Sequence, residues 1–368
     1  MRLEKHKNNP ILTKNPKNAW EELCVLNPAV IYDDKTQKFY MLYRSAGNDK
    51  KHYIYLGLAT SEDGINFKRY SDSPLISPDV NGADGGGIED PRLVKIDDYY
   101  FLTYASRPFA PGQYWRKDKG YFGFQPKAGP RTLIYNDTQT HLAVSKDLIN
   151  WKKLGRITDS RDDDRDVIIF PERVNGKYVK ISRAMNKCGE GYPNKKPAMW
   201  ISFSNDLLEW REEETLLYQG EEDWENEKCG GSCPPIKTDK GWLFIYHGVS
   251  SKDKCYRVGA MLLDLNDPRK ILAKTKDFIM EPEYPFETEG FYSGCVFPTA
   301  ILEVKDEYYI YYGAGDQCIC LATIKKDKLL SSYMLPRAFS DDPLACIFVR
   351  IKLQNSITFI RTRSCGVL

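Results

Sequence analysis

The sequence predicts an all-β protein and, within that class, a five-bladed β-propeller. Three observations predict it. A proline-led unit is written five times, with its marker at Pro28, Pro91, Pro171, Pro235 and Pro298. Inside each unit, apolar and aromatic residues alternate with period two between turns of Gly, Asp and Asn. No long stretch carries a clean helical period. The marker spacings are 63, 80, 64 and 63 residues, so one period runs through the chain and the second unit is longer. A lone unit of about four strands cannot bury both faces of its sheet, whereas neighbours stacked around an axis can.

The units follow in order. The first reads LNPAVIYDDKTQKFYMLYRS and then IYLGLATSEDGINFKRY. The second reads EDPRLVKIDDYYFLTYAS and, after a delay, THLAVSKDLINWKKL. The third is IFPERVNGKYVKISRAM with PAMWISFSNDLLEWREE, and the fourth is CPPIKTDKGWLFIYHGV with CYRVGAMLLDLNDPRKIL. The fifth is VFPTAILEVKDEYYIYYGAG with CICLATIKKDKLL. An S-x-D turn marks the second half of units one to three, at Asp63, Asp147 and Asp206. Its late arrival in unit two places an insertion between Tyr104 and Thr140. The expected organisation is an N-terminal extension over 1–26 packing on the propeller, a propeller over 27–335, and a tail of unclear structure over 336–368.

Composition narrows the function classes. The chain has 368 residues, 42% hydrophobic and 28% charged, enough for one large β domain with a sizeable core. Its net charge is +2, from 53 basic and 51 acidic residues, which gives no electrostatic case for nucleic acid or an anionic membrane. The 24 Tyr, 16 Phe and 7 Trp suit a β-rich core and also a carbohydrate site. The opening stretch MRLEKHKNNPILTKNPKNAW has no apolar h-region, and no window reaches the roughly 18 apolar residues of a membrane span. A cytoplasmic protein is expected. The ten cysteines are read as reduced, mostly buried thiols, because Cys229/Cys233 and Cys318/Cys320 lack the CxxC spacing of zinc sites and the chain has four His. No metal is expected.

The stretch GGGIEDPRLVKI, residues 85–96, sets Glu89 and Asp90 at the mouth of a first strand. Matching the units by their prolines puts Asn27, Phe170, Pro234 and Phe297 opposite Asp90, so one unit has a carboxylate there. A structural requirement would repeat; a chemical one need not. Asp90 is therefore expected to face a polar funnel shared by all units. Just after each second strand come Arg44, Ser106, Arg183, His247 and Gly313. Arg165 and Lys228 precede their marker prolines and reach the same mouth. Basic groups gathered near one acid make an anion pocket, and an arginine fork holds two oxygens of an oxyanion at once.

The motifs GIEDPR, FPERVNGKY, GWLFIYHGV, GAMLLDLNDP, MEPE and YYGAGD, in this order, resemble those of glycoside hydrolase family 130 from about Asn27 to about Leu330. That family consists mostly of β-mannoside phosphorylases, with some β-mannosidases, on a five-bladed propeller. The resemblance implies an inverting phosphorylase. Asp90 is then the general acid that protonates the leaving glycosidic oxygen, and inorganic phosphate attacks the anomeric carbon from the opposite face to give α-mannose 1-phosphate. It implies Arg165, Arg183, Lys228 and His247 as phosphate ligands, and Asn27, Arg44, Asp63, Glu89, Arg92 and Asp316 as sugar contacts. Phosphate is a co-substrate, and no cofactor is implied. Phosphorylases of the family often carry HRP where this chain has Ser182, Arg183 and Ala184. An inverting β-mannosidase therefore stands as the alternative, with Glu225 or Glu227 as the base that activates water about 6.5–9.5 Å from the acid. A propeller that only binds glycans is the reading from outside the enzymes. The insertion in unit two holds Phe109, Tyr114, Trp115, Tyr121 and Phe124. Tyr114 and Trp115 are expected to stack on the leaving sugar. The expected partners are a β-mannoside oligosaccharide and phosphate. Linkage, acceptor sugar and any homo-oligomer are left open.

Overall fold

The structure is a computed structural model and describes residues 1–113, 116, 124, 126–210, 214–330 and 334–336. The chain opens with β1 (Glu4–Lys5). Unit one is β2 (Cys24–Asp33), β3 (Lys38–Ala46), β4 (Ile54–Ser61) and the short β5 (Lys68–Arg69). Unit two is β6 (Gly87–Ile96), β7 (Tyr99–Arg107), helix α1 (Arg131–Tyr135), β8 (Gln139–Ser145) and β9 (Trp151–Arg156). Unit three is β10 (Asp164–Ile169), β11 (Tyr178–Ala184), β12 (Met199–Ser204) and β13 (Thr215–Tyr218). Unit four is β14 (Lys228–Gly231), β15 (Ile236–Thr238), β16 (Gly241–Val249), β17 (Tyr256–Leu263) and β18 (Ile271–Thr275). After α2 (Pro285–Thr288), unit five is β19 (Val296–Val304), β20 (Glu307–Ala314) and β21 (Cys318–Lys325), followed by α3 (Lys326–Leu330) and β22 (Met334–Pro336). The architecture is all-β.

Each unit is an antiparallel meander. Units one and two join into one sheet through a single parallel bridge between Ile54 and Gly87. In unit four the first strand is split, and both β14 and β15 pair with β16. The break falls at Pro234 and Pro235, where proline has no N–H to give to a ladder. The N-terminal segment does more than pack. Strand β1 is the outer strand of unit five, paired with β21, and Leu12 bridges to Ile319. Strand β22 pairs with β18; residues 337–368, nearly all of the expected tail, lie outside the described residues.

Five apolar layers hold the sheets, each between two units. Leu42 and Leu56 of unit one meet Leu93 and Leu102 of unit two. Val94 and Ile157 meet Val167 and Trp210 between units two and three. Ile181 and Met199 meet Phe244 and Met261 between three and four, and Ile245 and Val258 meet Val296 and Ile310 between four and five. Val30 and Met41 then meet Tyr311 and Leu321 between one and five. The period-two pattern makes this possible, since alternate side chains serve the two faces of one sheet. Among the described residues no helix is long and apolar enough to cross a membrane.

The S-x-D turns settle the place of Asp63. Its Oδ1 accepts the backbone N–H of Ile65 and of Asn66, both at 2.8 Å, and its N–H reaches Ser61 Oγ. Asp147 makes the same bonds to Ile149 and Asn150, and Asp206 to Leu208 and Glu209. An acceptor carrying two N–H donors holds its charged form, so Asp63 lies well below the usual carboxylate range although burial opposes this. Asp63 closes this turn and does not line the cleft described below.

Candidate active site

The first strands of units one, two and three carry a register irregularity near their entry. The paired residues before it are Leu26 with Arg44, Glu89 with Ala105, and Arg165 with Arg183. The next residue in each case has left-handed backbone: Asn27 at φ 45°, Asp90 at φ 49° and Asp166 at φ 57°. Asn and Asp tolerate this region better than other side-chain-bearing residues. The bulge turns each side chain out of the ladder. This corrects the unit matching by proline. Asp166, not Phe170, stands opposite Asp90 in unit three, so a second carboxylate occupies an equivalent position.

A cleft of about 190 Å³ is lined by two groups of side chains. The acidic group is Asn27, Arg44, Glu89, Asp90, Arg107 and Asp316. Asp90 Oδ1 accepts from Asn27 Nδ2 at 2.6 Å and from Arg44 Nη1 at 2.8 Å. Its Oδ2 has no hydrogen-bond partner among the described residues. Asn27 fits there because Gly313 faces it: a Cβ on Gly313 would come within 2.0 Å of Asn27 Oδ1. Burial works to raise the pKa of Glu89, but Arg44, Arg107 and Arg165 overcome it and hold it at about 2. Glu89 is thus a fixed anion, spanned by Arg44 at 3.3 Å and Arg107 at 3.2 Å. Burial pushes Asp316 up to about 6, opposed by Arg44 and aided by Asp90 and Glu89.

The basic group is Arg165, Arg183 and Lys228, with Asp166 among them. Arg165 Nη2 donates to Thr138 Oγ1 and Asp163 Oδ1, at 2.8 and 2.9 Å. Arg183 Nη2 donates to Asp166. The Nε of each arginine is buried and has no acceptor among the described residues. Lys228 Nζ lies 5.1 Å from the Tyr256 ring centroid and forms no ion pair among the described residues. Burial, then Arg183, lowers its pKa to about 8. Buried donors without acceptors are costly, and an anion in the cleft would satisfy them.

Several predicted residues stand elsewhere. His247 is fully buried and does not line the cleft; its Nε2 is 3.5 Å from Asp166 Oδ2. Burial drives its pKa down to about 3, so it is a neutral imidazole rather than a cation. Arg92 lies beneath the cleft, donating from Nε to the Ser232 carbonyl at 2.5 Å and from Nη1 to the Asp90 carbonyl at 2.8 Å. It holds the Asp90 backbone and does not line the cleft. Glu225 is buried between units three and four, taking the Tyr218 hydroxyl at 2.5 Å. Glu227 pairs with Lys254 and Lys196 away from the cleft lining. Neither glutamate is placed as a base. Tyr114 and Trp115 lie outside the described residues. The described ends of their insertion sit on the cleft rim: Arg107 donates to the Asn136 carbonyl, and Asn136 exchanges two hydrogen bonds with the Phe109 backbone. The reading from sequence missed Arg107, Asp166, Tyr256, Tyr292, Cys295 and Phe297 as lining residues. A larger cavity of about 550 Å³ opens between units two and three around Lys180 and Trp210, and it holds none of the predicted residues. Among the described residues no three His, Cys, Asp or Glu gather as a metal site.

The cleft thus sets the carboxylates of Glu89, Asp90 and Asp316 against the basic side chains of Arg165, Arg183 and Lys228. A family model described as beta-1,4-mannooligosaccharide phosphorylase matches residues 2–120 and 132–334. The chain belongs to this family, glycoside hydrolase family 130. A 1,2-beta-oligomannan phosphorylase of Thermoanaerobacter sp. (strain X514) is 36% identical over 330 residues, covering 88% of this chain and 98% of that protein. A beta-1,2-mannobiose phosphorylase of the same organism is 36% identical over 339 residues, covering 89% and 99%. The solved beta-1,2-mannobiose phosphorylase of Listeria innocua aligns with TM-score 0.72 at 24% identity, over 90% of this chain and 99% of that one; at that identity the likeness concerns the fold.

Proposed function

We propose that the protein is an inverting β-mannoside phosphorylase, built as a five-bladed propeller with the cleft at its funnel. The propeller reading is supported by five apolar layers that join units one to two, two to three, three to four, four to five and five to one. The observation that carries the phosphorolytic reading is the set of donors without acceptors: Nε of Arg165, Nε of Arg183 and the unpaired Lys228. In this mechanism Arg44 and Asn27 hold Asp90 by Oδ1, and Oδ2 carries the proton. That proton goes to the glycosidic oxygen as its bond to the anomeric carbon breaks. A phosphate oxygen held by the basic group forms the new bond from the opposite face. The proton brought by hydrogen phosphate restores the balance at Asp90. Phosphate is its own nucleophile, so no base is needed. Asp166, the one carboxylate among the basic groups, is a poor base: burial favours its neutral form, but the Arg183 and Arg92 guanidiniums hold it well below the usual carboxylate range.

The two relatives at 36% identity are both named for β-1,2-linked mannosides, and the proposal takes that linkage for this chain. The test is to incubate the enzyme with β-1,2- and β-1,4-mannobiose, with and without phosphate, and identify products by ³¹P and ¹H NMR. α-Mannose 1-phosphate from the β-1,2 disaccharide, with saturable phosphate dependence, is expected. Free mannose at an undiminished rate without phosphate refutes the reading.

A further inference from the structure

We propose that Asp166 is a positioning residue for phosphate: it locks the Arg183 fork, with His247 packed behind it, so that Arg183 presents its free Nε to the anion. The proposal rests on the phosphorolytic reading and extends it to a residue that does not itself bind sugar or phosphate.

The geometry around Asp166 is over-determined. It sits in the left-handed bulge of β10, between Arg165 and the next paired residue, Ile168. Left-handed backbone at a side-chain-bearing residue persists where the surroundings hold it, and such sites cluster where function needs a fixed group. Its carboxylate is almost wholly buried and faces three nitrogen-bearing side chains. Oδ2 accepts from Arg183 Nη2 and lies 3.5 Å from His247 Nε2. Oδ1 lies 4.0 Å from Arg92 Nη2. On the far side of the imidazole, Ser232 Oγ is 3.1 Å from His247 Nδ1, and Phe297 closes its face at a centroid distance of 4.7 Å. His247 Nε2 makes no hydrogen bond among the described residues, so the ring is held by Ser232 and by packing beside Asp166. The imidazole thus packs behind Asp166 rather than in the cleft.

Arg183 is fixed by the same contact. One terminal nitrogen is held by Asp166 and the other lies against Met185 Sδ. A guanidinium is planar, so pinning both terminal nitrogens sets the direction of Nε. The cluster also leaves no slack. Across from it, β14 has Gly230, where a Cβ would come within 2.7 Å of Asp166 Oδ2 and 2.8 Å of His247 Cε1. Gly230 therefore gives a way to displace Asp166 without removing its charge.

The experiment measures KM for phosphate and for the mannoside separately in the parent enzyme, Asp166→Asn and Gly230→Ala, with circular dichroism and melting to confirm the fold. Both variants are expected to raise the phosphate KM about tenfold or more, the scale of one charge-assisted hydrogen bond, while the mannoside KM at saturating phosphate moves much less. If Asp166→Asn does not fold, Gly230→Ala carries the test. A phosphate KM that stays level or falls in a folded variant overturns the proposal, and so does an equal rise for both substrates, the mark of a general structural role. A parent enzyme whose rate ignores phosphate overturns the phosphorolytic reading and this inference with it. A phosphate-dependent parent with an indifferent Asp166→Asn overturns this inference alone.

Discussion

Asp90 gives one oxygen to Asn27 and Arg44, and in the proposed mechanism the other carries the proton. Asp90→Asn preserves shape and removes the proton. Its turnover is expected to fall by about 10²–10⁴-fold, the usual contribution of a placed general acid, with the melting temperature little changed; initial rates and a thermal melt check both. Lys228 adds a pH dependence whose sign follows from its charge. Its pKa is lowered to about 8, first by burial and then by Arg183, so the cation is present below that value and is lost as pH rises through it. Phosphate KM is expected to rise above about pH 8. In Lys228→Arg this rise is expected to disappear from the alkaline range, because a guanidinium stays charged there. Phosphate KM against pH for the two enzymes decides it. Much of the site at this scale was legible. Eight of the predicted side chains, Asn27, Arg44, Glu89, Asp90, Arg165, Arg183, Lys228 and Asp316, line the cleft. His247 and Arg92 misled because a basic residue at the right strand end can turn under the site as readily as into it. Only packing neighbours, here Phe297 and Ser232, decide which.

At the scale of elements, the repeat was readable but its register was not. Prolines mark where a strand can do without an N–H, and Pro28 and Pro91 follow the bulge directly. In unit three the proline comes later, and the feature that recurs is the left-handed Asx residue: Asn27, Asp90, Asp166. Matching by Asx instead of Pro would have found Asp166. Asp63 stands outside the cleft lining for the opposite reason: it belongs to a turn that repeats in three units, and repetition was the sign of a structural duty. Strand β1 was not legible at all. Two residues have no period, and what holds them is distant in sequence. Lys5 Nζ meets Glu287 Oε2 at 2.7 Å, and Glu287 is fully buried, also taking the Tyr312 hydroxyl and the N–H of Glu283 and Tyr284. Removing one partner of such a pair strands the other charge, so Lys5→Ala is expected to cost about 3 kcal/mol. Lys328→Ala, which breaks an exposed pair with Glu4, should cost less than about 0.5 kcal/mol. Chemical denaturation midpoints of the two variants test the contrast.

At the scale of the whole molecule, the class of fold followed from periodicity because every layer is built by the same rule, a sheet face of alternate apolar residues against its neighbour's. What periodicity could not give is how the ends meet. Strand β1 lies on β21, and Asn9 bonds the carbonyl of Leu321 across 312 residues of sequence. Leu3 and Leu12 are buried in the two layers that flank unit five. A ribosome makes Asn9 312 residues ahead of Leu321. At about 5–20 residues per second, the opening segment waits on the order of tens of seconds with its apolar side chains unmatched. The first four units can form as they emerge, but β1 cannot dock until the strands of the fifth have been made. Closing so long a loop carries an entropic cost that local hairpins do not. Docking of the segment that carries Leu3, Asn9 and Leu12 is thus set to follow the folding of the units between, and a cargo fused ahead of that segment sits on a piece that must still find its place after them.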